Sequence, residues 1–139
     1  MIVLDTNVFS EAMRPEPNPH VVGWLNDQAA GTLYLSSVTL AELLFGLRVL
    51  PGGARAERLT RALDQLLGLF AGRVLPFDQE AARRYADMTA AARASGRPLP
   101  VADAYLAGTA AANGFAVATR NIRHFADTGV DLIDPWQAR

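Results

Sequence analysis

The chain has 139 residues, 50% of them apolar and 19% charged, which is the size and composition of one globular domain with its own hydrophobic core. It contains no cysteine, so disulfides, thiolate catalysis and cysteine-ligated zinc are excluded. All 13 basic residues are arginine, which excludes lysine-dependent sites such as those of P-loop NTPases, and the net charge of −1 confines any nucleic-acid affinity to local patches.

Short apolar segments alternate with helical patterns along the chain and predict five β-strands. These strands are expected at Ile2–Leu4 and at residues 33–35, 74–77, 115–118 and 131–133. Strands that alternate with helices are typical of a parallel sheet that is covered on both faces. We therefore predict one domain over residues 1–139, of the α/β class with three layers, α/β/α, and with the first strand in the middle of the sheet.

Helical periodicity and capping residues predict helices at residues 18–28, 39–50, 54–70, 78–94 and 101–113. Pro51 and the two glycines after it separate the second helix from the third, so these two should form a hairpin. An apolar stripe on the fourth helix, at positions 81, 85, 88 and 92, is expected to pack on the sheet.

Three acidic residues lie at element ends that the topology of a parallel sheet sends to one rim. Asp5 follows the first strand, where it either forms an Asx turn or serves as a ligand. Glu42 either closes a capping box with Thr39 or faces the rim. Asp103 lies in the first turn of its helix, where the helix dipole favours an acid even without a function. Each acid alone has an adequate structural explanation. Their convergence predicts a Mg²⁺ or Mn²⁺ site, because these hard cations prefer carboxylates plus water.

Polar and basic residues adjoin these acids at the same rim and extend the candidate site. They are Thr6, Asn7, Thr119, Arg120, Asn121, Arg123 and His124. The hydroxyls and amides can add oxygen ligands or orient a water, and the guanidinium groups can each grip two phosphate oxygens. A lone histidine such as His124 is more often a surface or capping residue than a catalytic one.

Four segments in this order resemble the motifs of the PIN-domain family: residues 4–7, residues 37–43, Asp103 with Ala104, and residues 119–125. They span nearly the whole chain and resemble most the VapC/FitB-type branch, whose members are toxins of bacterial toxin–antitoxin pairs. The resemblance implies a central parallel five-stranded sheet of strand order 3-2-1-4-5. It also implies a ribonuclease, an endonuclease that cleaves RNA with a divalent metal ion.

By the same resemblance, Asp5, Glu42 and Asp103 are the catalytic, metal-binding acids. The fourth family position, often an aspartate, is Asn121 here, and a later acid of many members is replaced by His124. We therefore expect one Mg²⁺ or Mn²⁺ ion, with Asn121 as a secondary, water-mediated ligand. The residues expected to contact substrate are Thr6, Asn7, Thr119, Arg120 and Arg123.

The resemblance also implies protein partners. A small DNA-binding antitoxin of VapB type would bind the hairpin of residues 39–70 and the active-site groove, and the toxin would form a homodimer. The hairpin carries more apolar residues than one sheet face requires, which agrees with a partner surface. The sequence has no signal-peptide pattern and no apolar run near the roughly 18 residues of a membrane span. We therefore expect a cytoplasmic protein that does not associate with a membrane.

Two other functions stay open. The missing fourth acid suggests a PIN-fold binding module with weak or no catalysis, and the fold also serves PIN-like DNA nucleases, although this short chain lacks insertions for threading a DNA strand. An aspartate-phosphorylated phosphatase is excluded, because it needs a second acid where Asn7 stands and a lysine that the chain lacks. Metal-dependent cleavage of RNA separates the remaining readings.

Overall fold

The computed structural model describes residues 1–137. Its strands are β1 Ile2–Leu4, β2 Leu33–Ser36, β3 Val74–Leu75, β4 Ala116–Ala118 and β5 Leu132–Ile133. Its helices are α1 Thr6–Ala12, α2 Pro19–Asp27, α3 Ser37–Arg48, α4 Ala54–Leu69, α5 Gln79–Ala94, α6 Val101–Asn113 and α7 Ile122–Phe125. No helix in this part of the chain is long and apolar enough to cross a membrane.

The strands form one parallel sheet in the order β3-β2-β1-β4-β5, which confirms the predicted topology. The first strand lies in the middle, as predicted: Val3 is in register with Tyr34 on β2 and with Val117 on β4. Because the strands are parallel, their carboxyl ends meet at one edge, where ligands of such sheets bind.

The two faces of the sheet are covered by different helices, which gives the three layers. Successive strand residues point to opposite faces, so Leu4 and Val3 enter different core clusters. Leu4 packs with buried residues of α1 to α4, among them Val8 and Leu63. Val3 packs with α6 and with Phe125 of α7. The site edge is therefore supported from both sides by buried apolar side chains.

Two helices, α1 and α7, were not predicted from the sequence. Both are short, seven and four residues, so neither contains enough turns for an apolar period to stand out. Helix α1 begins directly after β1, because the Asp5 side chain caps it by accepting a hydrogen bond from the Thr6 backbone N–H at 2.7 Å. Asp5 therefore marks a strand-to-helix junction.

Helix α3 begins two residues earlier than predicted, and the capping box of Thr39 with Glu42 is wrong. The N-cap is Ser36, whose hydroxyl oxygen accepts a hydrogen bond from the Thr39 backbone N–H at 3.0 Å. Ser36 is itself the last residue of β2, so the helix follows the strand without a loop. Glu42 is therefore not engaged in capping and is available to the site.

The prediction that the apolar stripe of α5 packs on the sheet is wrong, because α5 packs mainly along α6. Of the stripe, Met88 reaches the cluster that contains Val3. The close approach of the two helices depends on Gly108, where a Cβ atom would lie 2.8 Å from the Ala81 backbone oxygen and 3.0 Å from the Tyr85 backbone nitrogen. Backbone atoms cannot yield as a flexible side chain does, so this position requires glycine.

We expect Gly108→Ala to lower the free energy of unfolding by about 1–3 kcal/mol, because the added methyl group forces α5 and α6 apart. Urea denaturation at neutral pH measures the change. The matched control is Gly68→Ala in α4, where nothing lies within 4 Å of the added atom, and where alanine should stabilise the helix by roughly 0.5–1 kcal/mol. Equal effects of the two substitutions would contradict the packing argument.

Candidate active site

Asp5 lies at the carboxyl end of β1 and is almost fully buried, with 7% of its surface exposed. Its backbone N–H donates to the Ala118 carbonyl oxygen at 2.9 Å, so the ladder between β1 and β4 continues through it. Its side chain is thereby fixed at the sheet edge where the carboxyl ends of the strands meet.

The Asp5 carboxylate is held by donors from two strand ends. One oxygen, Oδ1, accepts from the Thr6 backbone N–H, and the other, Oδ2, accepts from the Thr119 hydroxyl at 2.7 Å. The Asn7 amide nitrogen approaches the same Oδ2 at 3.4 Å, and its amide oxygen accepts from the Arg120 backbone N–H at 3.2 Å. Thr6 and Asn7 on one side and Thr119 and Arg120 on the other thus join the ends of β1 and β4 through one carboxylate.

The pKa of Asp5 is raised above its ordinary value of 3.8, first by burial, which disfavours the charged form. The hydrogen bonds from Thr119 and Thr6 lower it, and the negative charges of Asp103 and Glu42 raise it further. Asp103 and Glu42 therefore both act electrostatically on Asp5.

Glu42 extends from the second turn of α3 and is exposed. Its Oε1 accepts a hydrogen bond from the Thr6 hydroxyl at 2.8 Å. Thr6 thus bridges two of the three acids, because its backbone N–H binds Asp5 and its side chain binds Glu42.

Asp103 lies in the first turn of α6 and contacts His124 of α7. The Asp103 Oδ2 atom and the His124 Nδ1 atom are 2.7 Å apart, and 13% of the Asp103 side chain is exposed. Sequence reasoning treated His124 as a lone surface residue, and no local pattern could pair positions that are 21 residues apart. The pairing arises because α6 and α7 pack against each other.

Within residues 1–137, no three acidic or histidine side chains are arranged so that they could hold a metal ion. Glu42 is hydrogen-bonded to Thr6, and Asp103 to His124. The sharing of one ion by Asp5, Glu42 and Asp103 therefore stays a prediction, and it requires these side chains to move from the described arrangement.

The remaining predicted site residues divide by exposure. Thr119 is fully buried, and its hydroxyl serves Asp5 and also accepts from the Asn121 backbone N–H at 3.0 Å. The Asn121 side chain is exposed, and among the described residues it has no hydrogen-bond partner.

Arg123 is exposed and lines a groove of about 510 Å³ on the α5–α7 side, next to His124. The Arg120 guanidinium lies over the ring of Trp136, a residue that sequence reasoning did not consider.

A second groove adjoins the site on the opposite side, between α1, α3 and the start of α4. It has a volume of about 430 Å³, and its lining includes Thr6 and Glu42 together with Arg55, Arg58 and Leu59. The groove therefore opens onto the hydrogen bond that joins two residues of the candidate site.

The chain is similar to known proteins over nearly its whole length. The chain matches the PIN domain family over residues 2–130. It is 49% identical to a VapC ribonuclease of Sinorhizobium fredii, over 99% of each chain. It is 43% identical to the toxin FitB of Neisseria gonorrhoeae, over 98% of this chain and 99% of that protein.

Solved structures are similar over the same length. The crystal structure of FitAcB from Neisseria gonorrhoeae superposes with a TM-score of 0.93 at 42% identity, covering 99% of this chain and 100% of that chain. The DNA-bound VapBC of Salmonella typhimurium superposes with a TM-score of 0.84 at 27% identity, covering 96% of this chain and 97% of that one.

We expect Asp5→Asn to leave the free energy of unfolding at pH 7 unchanged or to raise it. The raised pKa means that the folded chain holds the Asp5 proton more tightly than the unfolded chain does, so the ionised form opposes folding. This penalty is absent below the unfolded value of 3.8, and it grows as pH rises through the folded pKa. Urea denaturation at pH 7 and at about pH 4 measures it.

The matched control is Asp64→Asn on the exposed side of α4, which should change stability little at either pH. Marked destabilisation by Asp5→Asn at pH 7 would contradict this expectation and would show that the hydrogen bonds of the Asp5 carboxylate outweigh the penalty of its burial.

Proposed function

The chain belongs to the PIN-domain family, and on that premise we propose that it is the toxin of a toxin–antitoxin pair, an endoribonuclease that cleaves RNA with Mg²⁺ or Mn²⁺. The observation that carries the proposal is the state of Asp5, a buried carboxylate at the ligand-binding edge of the sheet. Its pKa is raised by burial and also by Asp103 and Glu42. Mutually repelling acids are what a hard cation stabilises.

We propose that Asp5, Glu42 and Asp103 hold one divalent ion, since carboxylate oxygens are the donors that Mg²⁺ and Mn²⁺ prefer. Glu42 would exchange its bond with Thr6, and Asp103 its bond with His124, for the ion. A divalent ion bound there would lower the pKa of a coordinated water and offset negative charge on the phosphoryl oxygens in the transition state. The acids need not act as bases themselves.

The protein's own residues orient the Asp5 carboxylate, a metal-bound water and the RNA. Thr119 and the Thr6 backbone N–H fix both oxygens of Asp5, so its rotamer is set before substrate or metal arrives. Asn121, exposed beside this network, is proposed to orient a water of the ion's hydration shell. Arg120 and Arg123 are proposed to contact the RNA backbone, since guanidinium pairs well with phosphate oxygens.

The groove between α1, α3 and α4 is the proposed antitoxin site. Thr6 and Glu42 line it, so a segment seated in it would cover part of the active site. The hairpin of α3 and α4 also exposes Phe45, Val49 and Leu69, each with more than 60% of its surface accessible. Exposed apolar side chains of this size are typical of partner surfaces, and we propose that the toxin dimerises through this hairpin.

A PIN-fold binding module is the second candidate, and a specific observation favours it. No three potential ligands in residues 1–137 are arranged to hold an ion, and an amide stands where the family often has a fourth acid. Such a module would bind RNA or the antitoxin without cutting RNA.

The deciding experiment is RNA cleavage by the purified chain with Mg²⁺ or Mn²⁺. We expect cleavage that stops when the metal is chelated, and Asp5→Asn should reduce kcat/KM at least about 100-fold, because even residues that only support a metal ligand cost 10–100-fold. Induced expression of Asp5→Asn should not arrest growth. Asp64→Asn is the control, expected to cleave as the wild type does. Metal-independent cleavage, or none, would favour the binding module.

Asn121 provides a graded test of the metal site. Asn121→Ala should lower kcat/KM by about 10–100-fold, less than Asp103→Asn does, because an amide that orients a metal-bound water contributes less than a direct ligand. Asn121→Asp should tighten Mn²⁺ binding by adding a charge, and we expect it to recruit a second ion about 3.5–4 Å from the first. Calorimetric titration with Mn²⁺ measures both. Unchanged affinity and stoichiometry in Asn121→Asp would place this residue outside the metal site.

A further inference from the structure

A stacked pair of side chains, Arg120 and Trp136, stands beside the Asp5 network. The guanidinium carbon of Arg120 lies 5.0 Å from the centroid of the Trp136 ring, within the range of a cation–π interaction. Arg120 is exposed, and Trp136 is half-buried. The sequence separates the two by 15 intervening residues, and the adjacent strands β4 and β5 bring them together.

Both residues of the pair have further contacts with the protein. Trp136 packs against the core cluster that contains Leu4 and Ala118, and its backbone N–H donates to the Asp134 carboxylate at 2.9 Å. The Arg120 backbone N–H donates to the Asn7 side chain at 3.2 Å. The Trp136 ring is therefore held by the core, and it loses little conformational entropy when a ligand binds at the pair.

The pair is directly linked to the proposed catalytic centre. Arg120 follows Thr119, whose hydroxyl donates to Asp5 at 2.7 Å. The backbone of Arg120 is therefore part of the network that holds Asp5.

The charge of Arg120 is also unused within the described residues. Arg120 forms no ion pair with an acidic side chain in residues 1–137, as is true of most arginines there. A planar cation on an aromatic ring, exposed and without a counter-charge, fits a planar ligand attached to an anion. A nucleotide has both parts.

We propose that the Arg120–Trp136 stack binds an unpaired nucleobase of the RNA that flanks the cleaved phosphate. The proposal rests on the ribonuclease function proposed above and assigns to the Arg120–Trp136 pair a part in positioning the substrate of that ribonuclease. Bases in single strands stack on aromatic rings and on guanidinium planes, whereas bases inside a duplex are covered by their neighbours. Every base has such a face, so the stack selects unpaired structure and tolerates any sequence.

The test compares two RNA probes with equal phosphate charge in the Asp5→Asn chain, which is expected not to cleave them. One probe is a 12-nucleotide oligouridylate, and the other is the same ribose-phosphate chain without bases. We expect the base-bearing probe to bind about 5- to 150-fold more tightly, which corresponds to the usual 1–3 kcal/mol of one stacked base.

Two substitutions isolate the stack. Arg120→Lys keeps the charge and loses the plane, and it lies on the surface, where the fold is not at risk. Trp136→Leu removes the ring and keeps an apolar side chain on the core. Each should lose most of the preference for the base-bearing probe.

Fluorescence gives a readout that does not depend on affinity. In a Trp24→Phe background, Trp136 is the remaining tryptophan, because the chain has two. We expect oligouridylate to quench its emission and the base-free probe to leave it unchanged.

Equal binding of both probes by the parent chain, or a preference that persists in Arg120→Lys and Trp136→Leu alike, would overturn the stacking proposal and leave Arg120 as a phosphate contact only. If the wild type nevertheless cleaves RNA, such a result contradicts the stacking proposal and leaves the ribonuclease function intact. If the wild type does not cleave RNA, the proposed ribonuclease function itself is contradicted.

Discussion

The burial of one carboxylate at the junction of β1 and β4 organises this molecule. Asp5 continues the hydrogen-bond ladder with its backbone and caps α1 with one carboxylate oxygen. Its other oxygen binds the Thr119 hydroxyl at the end of the neighbouring strand. A single side chain therefore sets the start of a helix, the spacing of two strand ends and the position of the site. Burial of a charge without a paired cation is costly, and the raised pKa of Asp5 reflects that cost.

The other two acids reach the same edge on helices, each with a different neutral or basic partner. Glu42 is tied to Thr6, and Asp103 to His124. These bonds orient the exposed Glu42 carboxylate and the partly buried Asp103 carboxylate, each of which would otherwise sample more rotamers. The site thus combines one rigid acid with two that can change partners, an arrangement suited to gaining an ion through small side-chain movements.

The surroundings of the site divide into surfaces with different chemistry. Toward α3 and α4 the groove carries apolar side chains with Arg55 and Arg58, and the hairpin beyond it exposes large apolar residues. Toward α7, the other groove is lined by Arg123 and His124. The Arg120–Trp136 pair adds a cationic and aromatic surface. Thr6 and Glu42 belong both to the candidate site and to the lining of the hairpin groove, so a partner seated in that groove would contact the candidate site.

The sequence by itself determined the strands, the longer helices and the element ends that carry Asp5, Glu42 and Asp103, because apolar period, capping residues and glycine act over a few neighbouring positions. Its motifs also indicated the strand order, which the sheet confirms. The short helices α1 and α7 left too few turns for a pattern. Only the tertiary structure decided that Ser36 and not Thr39 caps α3, that α5 lies on α6, and that His124 meets Asp103 and Trp136 meets Arg120. Such pairings depend on how distant elements pack and on which rotamers that packing allows, and neither leaves a local mark in the chain.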